Sequence, residues 1–84
     1  MNPRAIKVEA FDDYSLVVNF VGGETRKFNV TRLLDYPVYT ALKEISFFKK
    51  AIVKDGIVVW DLSIDLDPDL LYLESMPVET QVSR

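Results

Sequence analysis

The sequence predicts a small α+β domain: a three-stranded antiparallel meander, a short central helix, a second β-hairpin and a short C-terminal helix. Three observations carry that expectation. Apolar and polar residues alternate in three early segments, Asp55-Gly56 sits between two apolar runs, and Asp67-Pro68 precedes a leucine-rich stretch. Period two means strands buried on one face. An Asp-Gly pair between such runs is a strong hairpin signal, because both residues tolerate positive φ. Asp followed by Pro reads as an N-cap and first helical position.

The meander comes first. Ile6, Val8 and Ala10 alternate with Lys7 and Glu9; Tyr14, Leu16, Val18 and Phe20 alternate with Ser15, Val17 and Asn19; Arg26, Phe28 and Val30 alternate with Thr25, Lys27 and Asn29. Cross-strand partners share a face, so the loops must set apolar residues opposite apolar residues. A two-residue Gly22-Gly23 turn would pair Val18 with Lys27 and Leu16 with Asn29, which wastes the pattern. A three-residue loop, Val21-Gly22-Gly23, pairs Leu16 with Phe28 and Tyr14 with Val30 and puts Gly23 at the left-handed position. The same parity at Phe11-Asp12-Asp13 pairs Val8 with Leu16.

The period then changes. Thr31 is placed to cap a short turn through Leu33 and Leu34 that Pro37 ends. Val38, Leu42 and Ile45 fall at i, i+4 and i+7, one face of a helix beginning near Pro37. Ser46 is placed to cap a further turn through Phe47, Phe48 and Lys49. In the second hairpin Ile52 pairs with Val59 and Val53 with Val58, so both faces are partly apolar. One face should cover the core, and the other is a candidate interface. Ile64 and Leu66 give a brief extended segment before the helix that Asp67 caps, with Asp69 favourably placed in its first turn. Residues 1–75 read as one compact domain and 76–84 as a flexible tail.

Composition bounds the chemistry. The chain has 84 residues, 49% of them hydrophobic, no cysteine and no histidine. A domain this short buries only about 60–65% of its unfolded surface, and here no disulfide adds to the core. The usual zinc ligands and the commonest general base are missing. No apolar run approaches the roughly 18–20 residues of a membrane span, and the opening Met1-Asn2-Pro3-Arg4 is no signal-peptide segment, so a cytoplasmic protein is expected. Net charge is −3, which discourages non-specific nucleic-acid binding. The charge is uneven: residues 1–54 hold nine Lys/Arg against six Asp/Glu, and residues 55–84 hold one against seven. Such polarity steers partners or self-association; the plainer reading is a solvated surface with an acidic end.

Several residues invite a site. The aspartates 61, 65, 67 and 69 suggest metal or acid–base work. A calcium loop starting at Asp65 requires glycine sixth and glutamate twelfth, where the chain has Leu70 and Met76. Capping and turn roles are favoured for these acids. A Schiff-base role for Lys54 competes with that of an exposed strand-end lysine, which is favoured. Phe47-Phe48-Lys49-Lys50 is the most suggestive patch: adjacent helical residues point apart, so one phenylalanine can be exposed beside two cations. Trp60 and Tyr72 are a further aromatic pair, either a binding platform or the floor of the core.

The run "DDYSLVVNFVGGETRKFNV", the central "LKEISFFKKAIV", then "GIVVW" and "DLDPDLLYLES" resemble the small bacterial proteins grouped as domain of unknown function 2442, over roughly residues 3–75. The most specific pieces are the Gly-Gly-Glu loop, the strand ending at Trp60, and Asp65-Leu66-Asp67-Pro68 leading to Leu71-Tyr72. The family commonly has a Pro-Asn-Gly-like turn after the tryptophan, whereas this chain has Asp61-Leu62-Ser63-Ile64. The resemblance implies a β-rich α+β domain without established enzymatic activity. Some members carry a helix-turn-helix domain, and some are encoded beside another small protein in the manner of toxin–antitoxin pairs. The expectation is therefore a non-enzymatic protein–protein interaction or regulatory module, without cofactor or metal. Its interaction surface is expected among Phe47, Phe48, Lys49, Lys50, Trp60 and Tyr72, and its partner is expected to be another protein or a second copy. Nucleic-acid binding through Arg26, Lys27, Lys43, Lys49 and Lys50 is the alternative, and an enzyme with an unrecognised site the third reading.

Overall fold

The computed structural model describes residues 2–61 and 64–78. Strands β1 (Ala5–Ala10), β2 (Ser15–Phe20) and β3 (Thr25–Asn29) form the expected meander. A second sheet contains β4 (Ile52–Lys54), β5 (Ile57–Asp61) and β6 (Ile64–Asp65). Between the sheets in sequence lie 3₁₀ helices at Thr31–Leu33 and Pro37–Lys43 and a single turn, α1 (Ile45–Phe48). Helix α2 (Pro68–Glu74) follows, and β7 (Met76–Pro77) pairs with β3. The sheets run β1-β2-β3-β7 and β4-β5-β6, all antiparallel. Where the sheets meet, β1 lies alongside β4, and the Ala5 amide donates to the Gly56 carbonyl at 3.1 Å.

Register in the second loop follows the apolar face. Leu16 pairs with Phe28, the Val30 amide donates to the Tyr14 carbonyl, and Val21-Gly22-Gly23 closes the loop with Gly23 at φ 96°. The first loop differs from expectation. It spans Asp12-Asp13-Tyr14, so Val8 pairs with Val18 and Ala10 with Leu16. Local side-chain bonding explains the slip: Asp13 accepts from the Ser15 amide at 3.1 Å and from its hydroxyl at 2.5 Å. Tyr14 takes the left-handed position, φ 66°, which is costly for a bulky residue. Its ring packs 5.3 Å from Phe48 and its hydroxyl donates to the Lys43 carbonyl, contacts that hold it there. A second irregularity, between Ala5 and Lys7, buries Ala5 and turns Ile6 out to 58% exposure, against the alternation expected for β1.

The Asp55-Gly56 hairpin forms as expected, with φ 54° and 83°, pairing Ile52 with Val59 and Val53 with Val58. Val58 and Trp60 face the core while Ile52 faces out. Asp67 caps α2, accepting from the Asp69 and Leu70 amides. Three other local expectations are corrected. Asn29, not Thr31, bonds the first 3₁₀ turn, accepting from the Thr31 amide at 2.8 Å. Ser46 caps nothing, since Glu44 stands at the N-cap of α1 without a side-chain cap bond. Residues 76–77 are a strand rather than tail, because β3 offers an unpaired edge that Met76 and Pro77 occupy; residues 79–84 lie outside the described residues. So do Leu62 and Ser63, and with them the turn after Trp60.

One apolar cluster joins all layers. Leu16, Val18, Phe20, Phe28 and Val30 from the first sheet meet Val58, Trp60, Ile64 and Leu66, with Leu33, Leu34, Leu42, Phe48 and Leu71 from the helices. The central helix is 3₁₀ rather than α, and this changes which residues it buries. At three residues per turn, i and i+3 align. Leu42 and Tyr39 therefore turn inward together, while Val38, expected on the Leu42 face, is rotated about a third of a turn away and is 57% exposed.

Candidate functional site

The residues that the sequence marks as a surface do not form one. Phe48 and Trp60 are core residues: their rings stack 6.0 Å apart, and the indole N–H donates to the Phe48 carbonyl at 2.8 Å. A domain with so little core depends on its largest apolar side chains, and both rings are buried there. Phe47 is half-buried against the same cluster. Lys49 and Lys50 are exposed, and Lys49 pairs with Asp12 at 2.8 Å. Tyr72 stands apart from them, edge-on to Phe20 at 5.2 Å.

Tyr72 belongs to a polar network that sequence reasoning missed. The Arg26 guanidinium lies 4.4 Å above the Tyr72 ring, pairs with Glu24 at 2.6 Å, and donates to the Ser75 hydroxyl and carbonyl at 2.6 and 2.7 Å. The Tyr72 hydroxyl donates to the other Glu24 oxygen at 2.6 Å. These bonds hold Glu24 below the ordinary glutamate range, the tyrosine bond first and the Arg26 bond second. The same Glu24 bond, and then burial, hold Tyr72 above the ordinary tyrosine range. With its side chain 13% exposed, Arg26 ties β3 to the end of α2 and is removed from the phosphate-binding set. The network is a clamp, since its donors and acceptors are turned on one another.

A surface that does stand open lies elsewhere. Leu33, Tyr36, Pro37, Val38, Tyr39 and Leu70, with Arg32 at the edge, line a groove of about 780 Å³. Pro37 opens the 3₁₀ helix at its first position, which fixes the approach of Tyr36 in extended conformation. Tyr36 and Val38 are each 57% exposed. The guanidinium of Arg32 is engaged by Glu74. The Tyr39 hydroxyl is held above the ordinary range by burial and then by the charges of Asp65 and Asp67. A phenol so held stays a hydrogen-bond donor at neutral pH and is a poor nucleophile. The lining can therefore grip apolar side chains and offer hydroxyl donors; among the described residues no group of three or more metal-ligating side chains is gathered. The signal for this groove was present in Tyr36-Pro37-Val38-Tyr39: four bulky residues in succession cannot all face one core.

Fold and groove together define a small α+β domain with an open apolar surface and a separate, closed polar clamp. The chain belongs to the family described as "Protein of unknown function (DUF2442)", whose model matches residues 5–77, from the first residue of β1 to the last of β7. No curated protein and no solved structure matches it. Among the described residues no helix is long and apolar enough to cross a membrane.

Proposed function

We propose that this chain is a non-enzymatic, cytoplasmic protein–protein interaction module, such as the neutralising or regulatory partner of a second small protein. The observation that carries the reading is the groove between the 3₁₀ helix and α2, with Tyr36 and Val38 turned to solvent at its lip. Large apolar residues exposed singly are ordinary; Tyr36 and Val38 are exposed together at the lip of a concave surface, which supports the reading. Interface energy concentrates in such pockets, with tyrosine prominent among the contributors. Two cations of the nucleic-acid alternative, Arg26 and Lys49, already have carboxylate partners, which weakens that alternative.

The test is affinity capture from the native host with the wild-type chain and with Val38→Lys in parallel. The expected result is a protein recovered stoichiometrically by the wild type and lost from the variant. Recovery unchanged by Val38→Lys would remove the groove as the basis of the function.

A further inference from the structure

The groove is apolar within and acidic around. Of its lining residues only Arg32 is a cation, and Glu74 already engages that guanidinium. Asp65 and Asp67 lie close enough to Tyr39 for their charges to act on its hydroxyl, which is 3.5 Å from the Asp65 carbonyl oxygen. Asp35 is exposed one residue before Tyr36. Carboxylates near an apolar surface of this kind repel phosphate and attract ammonium and guanidinium groups.

We propose that the groove takes a basic segment of a second protein, seating an aromatic or branched aliphatic side chain between Tyr36, Val38 and Leu70 with flanking Lys or Arg against Asp35, Asp65 and Asp67. The proposal rests on the interaction reading above and names the chemistry of the partner. A volume of about 780 Å³ lies in the range of clefts that take a small ligand or a short peptide segment. It suits a protruding segment better than the flat face of a folded domain. Nucleic acid is disfavoured by the same carboxylates that favour a basic segment.

The probe is a displayed library of short random peptides selected against the whole chain, followed by fluorescence anisotropy of the enriched peptides. Enriched sequences are expected to carry Lys or Arg on either side of an apolar anchor and to bind more weakly as salt rises. Val38→Lys should weaken binding by about tenfold or more. The double variant Asp35→Asn, Asp65→Asn should weaken it several-fold and flatten the salt dependence, with thermal melting of both variants unchanged. Enriched peptides that are acidic or uncharged yet lost with Val38→Lys would overturn the basic-partner inference while leaving the interaction reading standing. Enrichment indifferent to both variants, or none at all, would overturn the groove as a docking site. Concentration-dependent dimerisation abolished by Val38→Lys would replace the proposed partner with a second copy.

Discussion

Two aromatic clusters of this chain are put to opposite use. Phe48 and Trp60 stack within the closed core, and the half-buried Tyr14 ring packs tilted against Phe48 at its margin. Tyr36, the extended residue before the 3₁₀ helix, and Tyr39, in its first turn, line an open groove. The first cluster has its polar atoms satisfied inside the protein: the indole on the Phe48 carbonyl, the Tyr14 hydroxyl on that of Lys43. The second keeps its apolar surface partly in water. Aromatic content alone therefore says little about binding; what separates the clusters is whether the backbone lets each ring reach the shared core.

The sharpest way to break the closed cluster is Phe48→Ala. It removes the ring that Trp60 and Tyr14 both pack against and should cost about 3–5 kcal/mol in urea unfolding, a large part of a small domain's stability. A cost below that of an ordinary surface change would show that the cluster relaxes around the loss.

Gly56→Ala probes where the two sheets meet. The added Cβ would lie 2.6 Å from Arg4 Nε at a φ of 83°, so the backbone term alone should cost about 1–2 kcal/mol. Measured against Arg4→Ala alone, which itself removes the Arg4 bond to the Asp55 carbonyl, the double variant should be relieved of the Nε contact and keep the backbone cost and the 3.1 Å approach to the residue-4 Cβ. Equal losses in single and double variants would mean that Arg4 simply moves aside.

Acid separates the polar clamp from both clusters. Glu24 has a lowered folded-state pKa, so the stability it contributes is present above its unfolded value near 4.5 and is lost as pH falls through the folded value. Tyr72, raised, contributes stability below its unfolded value near 10 that is lost as pH rises through the folded one. In melts at descending pH, Glu24→Gln should remove part of the acid-side decline. An unchanged profile would place that decline on other carboxylates, Asp13 first, since the Ser15 hydroxyl also holds it low.

The smallest effect is expected in the open cluster. Val38→Lys should alter stability by less than about 0.5 kcal/mol, checked by the same melts. A large loss would mean that Val38 packs in solution and that the groove is less open than its geometry indicates.

The meander and the Asp55-Gly56 hairpin were legible because half-buried strands admit only one parity of register. Leu16 must meet Phe28 or the apolar face is lost. The first loop was not, because Asp13 and Ser15 support a left-handed Tyr14 that no apolar pattern demands. Strands as short as β6 and β7 carry no periodicity, so their joining of the sheets had no signal. The groove residues escaped for a related reason. Val38, Leu42 and Ile45 match an α-helical face, and the same spacing in a 3₁₀ turn sends Val38 outward. Phe48 and Trp60, marked as a surface, were claimed by a core too small to spare them.

The pairing of β7 with β3 sets Met76 against Lys27 and Pro77 against Arg26. It therefore governs the order in which the protein can be completed during synthesis. Every other partner in the first sheet has been made by residue 29, yet its outer edge waits for residues 76–77 to leave the ribosome. Until then Thr25–Asn29 presents unpaired amides and carbonyls to any passing strand, and this interval is when the nascent chain is most open to mispairing.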